Sequence, residues 1–184
     1  TYLDDVLSRQ EAINILESGA SGAEERVATV RRNGLPAYTT AAGWLGYDDR
    51  TMETLLEDAV SQGFPGVKIK VGRSVEDDIR RCELARKVIG WERLLMIDAN
   101  QAWGVNEAVD WVSRLSRFAP YWVEEPTSPD DLLGYAKIRS RLPGIRVAGG
   151  EHGMNRVLFK QMFQLSAMDV CQLDSARLAG VNEA

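Results

Sequence analysis

The sequence predicts an α/β protein built on a parallel sheet, read as a partial (β/α) barrel of TIM type with about six of its eight strands, preceded by a short helical segment. Three observations lead there. Short apolar, β-favouring runs recur at roughly 23 to 30 residues, stretches of helical periodicity separate them, and charged residues gather at one end of the runs. Strands that alternate with helices pair in parallel through right-handed crossovers, so both faces of the sheet are covered.

Residues 1–34 read as helical. Ser8-Arg9-Gln10-Glu11 precedes "AINIL" and Ser21-Gly22-Ala23-Glu24 precedes "ERVATV", each with the spacing of a capping box, in which Ser and Glu satisfy free amide donors reciprocally. Gly34 and Pro36 close this segment, and residues 35–184 form the barrel portion. Strands are expected at about 36–42, 66–71, 94–98, 121–125, 145–149 and 169–174, and helices at about 51–62, 75–89, 105–117, 129–141 and 156–165. Ser74 is placed to cap the helix that opens Val75-Glu76-Asp77. Ser128 is placed to cap one that opens on Pro129, where a missing N–H costs nothing. Trp111, Val112 and Leu115 fall at helical spacing on one face. The regular repeat suits a barrel better than an open doubly wound sheet, but six strands fit either.

The composition bounds the function. Of 184 residues 45% are apolar and 27% charged, an ordinary globular balance. A net charge of −5 with no basic tract argues against a DNA or RNA partner. No apolar stretch is long enough for a membrane span, and "TYLDDVLSRQ" is not a secretory leader. Cys82 and Cys171 match no zinc spacing; two isolated thiols fit a reducing, cytoplasmic compartment, with Cys171 expected to be buried. Nothing fixes the oligomeric state, and a homo-oligomer of the full-length protein is compatible.

"GVKIKVG" poses the sharpest question. On a strand, Lys68 and Lys70 share a face with Cα atoms about 6.7 Å apart, in a sheet that helices cover. The acids answer it. Asp98 ends "LLMID", Glu124 lies near the end of "YWVEE", Glu151 follows "IRVAGG" and Asp174 ends "VCQLD", at intervals of 26, 27 and 23 residues, with Lys70 lying 28 before Asp98. Each interval is about one βα unit, so all five side chains fall at the carboxyl ends of successive strands, where parallel α/β proteins bind ligands. Three carboxylates in one mouth need a cation, and oxygen donors suit Mg²⁺ or Mn²⁺. Lysines beside such a cation would have depressed pKa values and serve as bases. Trp44 and Trp103, after the first and third runs, are candidates for either pocket lining or packing, and Met96 for core.

The stretches "KIK" (68–70), "MIDANQAW" (96–103), "WVEEPTSPDD" (122–131), "GGEHGMNR" (149–156) and "LDSARLAGV" (173–181) resemble the mandelate racemase branch of the enolase superfamily. "YTTAAGWLGYDD", "EEPTSPDDLLG" and "GEHGMNRVLFKQ" are most similar to L-fuconate dehydratases. The resemblance implies that Asp98, Glu124 and Glu151 hold Mg²⁺ and that Lys70 is an acid/base on one face of the substrate. It implies further that Lys68 helps bind the substrate carboxylate, Asn100 contacts substrate and Asp174 orients a catalytic histidine on the next strand. The implied reaction is dehydration of a sugar acid, a small molecule like L-fuconate, to a 2-keto-3-deoxy acid through an enediolate. Other acid-sugar dehydratases, racemases or epimerases, and a non-catalytic barrel paralogue are the alternatives.

The chain departs from that pattern in one respect. Its single histidine, His152, adjoins Glu151 and cannot be the seventh-strand residue. His152 is expected to lie in the substrate pocket or behind it. Without an initiator Met, a complete capping domain or a seventh strand, the chain reads as a fragment that by itself lacks turnover.

Overall fold

In the computed structural model, which describes residues 3–184, the chain separates into two compact units, one ending at Pro36 and the other spanning Ala37–Ala184. The first holds α1 (Arg9–Ala20) and α2 (Ala23–Asn33). The start of α1 is the expected capping box: Glu11 N–H donates to the Ser8 hydroxyl oxygen and Ser8 N–H to the Glu11 carboxylate. The start of α2 is not. Ser21 is used as the C-cap of α1, so Gly22, left-handed at φ 69°, becomes the N-cap of α2 without a side-chain hydrogen bond.

The second unit runs α3 (Asp49–Ser61), β1 (Gly66–Lys70), α4 (Val75–Ile89), β2 (Leu94–Asp98), α5 (Val105–Leu115), a short 3₁₀ turn (Ser116–Phe118), β3 (Trp122–Glu124), α6 (Leu132–Arg141), β4 (Arg146–Gly149), α7 (Arg156–Gln164) and β5 (Val170–Cys171). All five strands are parallel and neighbours in chain order. That unreversed order is how a barrel wall is built, whereas a doubly wound sheet reverses its order at a switch point.

Where six strands were expected, the described residues form five. The first run contributes a single parallel bridge, Thr39 to Val67. Pro36 has no N–H to give, and a turn begins at Ala41, so pairing with β1 reduces to Thr39 N–H to Gly66 C=O (3.2 Å), Lys68 N–H to Thr39 C=O (2.9 Å) and Lys70 N–H to Gly43 C=O (2.9 Å). Two further local expectations are corrected. α6 begins later because Asp131, not Ser128, is its N-cap, accepting the Gly134 N–H at 2.8 Å, while Ser128 and Pro129 belong to the preceding turn. Cys171 is exposed, because β5 lies at the sheet edge.

Period-two alternation sorts the strands into two faces. Val67, Ile69, Leu95, Ile97, Val123 and Val147 join Met52, Leu56, Ala85, Val112, Tyr135 and Ile138 in the main core between sheet and helices. Met96, Trp122 and Ala148 form a separate small cluster on the other face. Met96 is therefore buried, at 1% exposure, but on the side shared with the lysines.

Behind the first bridge, the buried guanidinium of Arg81 on α4 donates to the carbonyls of Gly43 (2.7 Å) and Trp44 (3.2 Å), holding this segment against β1. The approach is close enough that a Cβ on Gly43 would lie 2.7 Å from Ile69 Cα, against backbone that cannot swing away. Gly43→Ala is expected to destabilise the fold by about 1–3 kcal/mol through this overpacking, read as a lower denaturation midpoint at unchanged slope. An unshifted midpoint would mean the segment is free to move away from β1.

Candidate active site

β1, β2 and β3 end side by side. The sheet register pairs Lys70 with Asp98 and Asp98 with Glu124, so the three side chains form a row across adjacent strands, with Lys68 one pleat below Lys70 on the same face. The question raised by the lysine pair is thus settled by the register: both point to the side away from the main core, toward carboxylates. Lys70 Nζ lies 2.6 Å from Asp98 Oδ2, and Lys68 Nζ lies 3.1 Å from the same oxygen while also donating to Glu124 Oε1. The second Glu124 oxygen accepts the Trp122 indole N–H at 3.1 Å, and the Tyr38 ring sits 5.6 Å from Lys68 Nζ.

Two ammonium groups and two carboxylates balance in this quartet, of which Asp98 and Glu124 are 1% exposed and Lys70 the most open at 21%. Burial pushes Asp98 up, but the Lys70 hydrogen bond and the charges of both lysines outweigh it and hold the carboxyl below its ordinary value. Glu124 goes the other way: burial raises it, the Lys68 hydrogen bond lowers it, the Asp98 charge raises it again, and the net is upward. Lys68 shifts upward as well. Burial pulls it down, yet the hydrogen bond to Glu124 and the charges of Asp98 and Glu124 carry it above the usual lysine range.

Glu151, in the turn after β4, stands in a neighbouring group. Ligand atoms of Glu125, Glu151 and His152 lie within 4.8 Å of one another. Glu125 is buried to 1% exposure; one of its oxygens accepts from His152 Nδ1 and the other from Gln101 Nε2 at 3.2 Å. The buried phenol of Tyr135 is raised first by burial and then by the charges of Glu125, Asp98, Glu124 and Glu151.

The remaining candidates are placed less centrally. Asn100 is exposed at φ 44°, its N–H donating to Asp98 Oδ1 at 3.0 Å. Asp174 lies beyond β5, where Oδ1 accepts the N–H groups of Ala176 (2.9 Å) and Arg177 (3.3 Å), closing a turn away from the lysine–carboxylate quartet. Trp103 packs in the main core and Trp44 is 61% exposed. Sequence reasoning did not single out Glu125, Gln101 or Trp122. The doubled acid of "VEEP" was the available signal for Glu125, since alternation along a strand turns adjacent residues apart unless the backbone breaks, and Glu125 does break it at φ 42°.

The donor set fits a hard divalent cation. Asp98 and Glu124 are oxygen donors held one strand apart, too buried to remain ionised without positive charge beside them, while the ligand atoms of Glu151 converge with those of Glu125 and His152. Acids that converge with an accessible amine can move a proton on a ligand held between them.

Comparison with known proteins agrees with this arrangement. Residues 51–184 match the family described as Enolase C-terminal domain-like. L-galactonate dehydratase of Hypocrea jecorina is 46% identical over 187 residues, covering 99% of this chain and 42% of that protein. The crystal structure of human mitochondrial enolase superfamily member 1 is 49% identical with a TM-score of 0.96, covering 99% of this chain and 42% of that one. L-talarate dehydratase from a Polaromonas species, complexed with Mg and L-glucarate, is 27% identical with a TM-score of 0.75, covering 79% of this chain and 41% of that one. The chain thus spans about 42% of the length of its similar relatives. With residues 51–184 matching that family and the fold shared along 99% of the chain, the chain belongs to the enolase superfamily.

Proposed function

We propose that the full-length protein is a Mg²⁺-dependent sugar-acid dehydratase, acting on L-fuconate or its 6-hydroxylated counterpart L-galactonate. The observation that carries this reading is the register-matched row Lys70, Asp98 and Glu124, with Lys68 bridging the two carboxylates. The relatives named as dehydratases support the reaction class, and the Mg bound in the Polaromonas enzyme supports the cation.

Asp98, Glu124 and Glu151 would hold the cation, which supplies positive charge to the substrate carboxylate and so stabilises the enediolate formed when the α-proton leaves. Lys68 and Lys70 rise from one strand on the same face. Lys68 adds its charge at the substrate carboxylate; Lys70, the most exposed of the quartet, exchanges a proton at the α-carbon. Asn100 lies at the rim to contact substrate, and Asp174 would orient a histidine on the strand that follows. The 3-hydroxyl takes up a proton and departs as water, and the resulting enol becomes the 2-keto-3-deoxy acid. Free Cys82, whose thiol burial pushes up to about 12, and free Cys171 support a reducing compartment such as the cytoplasm. Among the described residues no helix is long and apolar enough to cross a membrane.

The test is a panel of sugar acids with the full-length protein and Mg²⁺, following 2-keto acid release and deuterium uptake at the α-carbon. L-fuconate or L-galactonate should yield keto acid, and EDTA should stop it. Deuterium uptake without keto acid from any member would replace dehydration by racemisation, and neither signal from any sugar acid would remove the enzymatic reading.

A further inference from the structure

We propose that the Glu125–His152 pair is a substrate-recognition element: buried Glu125 fixes the His152 ring so that Nε2 hydrogen-bonds a hydroxyl of the sugar acid beyond its reacting carbons. This deepens the dehydratase reading and rests on it for the substrate class.

The argument begins with what Glu125 ties together. Its carboxylate sits after β3, accepts Gln101 Nε2 from the loop after β2 and accepts His152 Nδ1 from the turn after β4. Its backbone repeats the links, with Glu125 N–H donating to Ala148 C=O at 3.1 Å and its C=O accepting Gln101 N–H at 2.7 Å. Three consecutive strand-end loops, those behind Asp98, Glu124 and Glu151, therefore meet at one buried acid. Gln101 and Glu125 are held at φ 68° and 42°, conformations that persist only where surroundings over-determine them.

A carboxylate oxygen can only accept, so His152 donates to Glu125 from Nδ1. Nε2 lies on the far edge of the ring. The side chain keeps 29% of its surface open while its anchor keeps 1%. A ring fixed on its buried edge and open on the other is preorganised to receive a ligand hydroxyl, and an orientation already fixed costs no entropy on binding. The position also selects which part of the substrate it meets. Lys70 ends β1 and His152 follows β4, three strand steps around the sheet at about 4.8 Å each, so the two face a bound substrate from different strand ends.

The test uses the full-length, Mg²⁺-loaded protein and two probes, L-galactonate and L-lactate, which keeps the carboxylate and 2-hydroxyl alone. Calorimetric Kd is measured for wild type, His152→Phe and Glu125→Gln, with kcat and KM wherever turnover occurs. His152→Phe should weaken L-galactonate about tenfold or more, the discrimination a hydrogen-bonding site loses without its partner, with the loss in Kd and KM and little change in kcat. L-lactate affinity should not move. Glu125→Gln should follow His152→Phe in direction but more weakly, because the amide keeps one neutral acceptor oxygen in place of a charged one. Equal L-galactonate affinity in wild type and His152→Phe overturns the proposal while leaving the dehydratase reading intact. Parallel loss for both probes also overturns it, assigning the pair to the carboxylate end or to folding. A wild type that binds L-galactonate but turns over neither it nor L-fuconate sinks the dehydratase reading alone, and the affinities still decide the role of His152. No binding of L-galactonate or L-fuconate by wild type ends both.

Discussion

Lys70→Ala in the full-length protein is expected to lower kcat/KM for its sugar acid by roughly 10²–10⁴-fold, the usual worth of a positioned acid/base. The expectation rests on exposure and reach. Of the four charged side chains at the ends of β1, β2 and β3, Lys70 is the most open to a substrate, at 21% against 8% for Lys68 and 1% for each carboxylate. Its removal leaves Asp98 with Lys68 at 3.1 Å. Mg²⁺ affinity, measured by calorimetry, should therefore stay within a few fold of wild type while deuterium exchange at the α-carbon collapses. Lys70→Arg should fail nearly as badly, since a guanidinium keeps the charge but does not release its proton. Persistent exchange in Lys70→Ala would move the base elsewhere, and lost cation affinity would make Lys70 a structural partner of Asp98.

The parts of the molecule that were legible in the sequence are those set by local rules. Ser74 caps α4 through the Asp77 N–H, and α4 ends at Gly90, because a short hydroxyl side chain and a glycine each serve one backbone need at one position. The lysine row and the acids at successive strand ends were legible because side chains on a strand alternate and βα units repeat, so spacing alone placed Lys70 beside Asp98 and Asp98 beside Glu124. Competition between neighbours was not legible. Ser21 could cap α2 but is used by α1, and Asp131 displaced Ser128 because two oxygen acceptors stood three residues apart and only one met the Gly134 N–H. The Glu125 junction was hidden for a different reason. Its meaning depends on a positive φ that turns the second acid of "VEEP" out of strand alternation, toward loops 24 residues before it and 27 after it. The charge balance of the quartet lay beyond spacing as well: a lysine wedged between two carboxylates rises in pKa, and Lys68 has both within reach.

That same balance makes Glu124 the position where a single change should cost the fold most. With Glu124→Gln the quartet keeps two ammonium groups and one carboxylate, and Lys68, 8% exposed, must share Asp98 with Lys70. Breaking a buried pair by removing one partner costs about 3–5 kcal/mol, most of it from the charge left behind. Restoring neutrality should recover much of that loss, so the double variant Lys68→Met with Glu124→Gln is expected to be more stable than Glu124→Gln alone, in denaturant unfolding at pH 7. The pH dependence separates charge from shape. The folded-state pKa of Lys68 is raised, so its contribution is complete below the ordinary lysine value of 10.5 and is lost only as pH climbs through the elevated one. Glu124→Gln removes a principal cause of that elevation, so the stability gap between it and wild type should hold at neutral pH and narrow in strong alkali. A gap that is constant to high pH, or a double variant no better than the single, would mean that Glu124 stabilises by packing against Trp122 and not by neutralising Lys68.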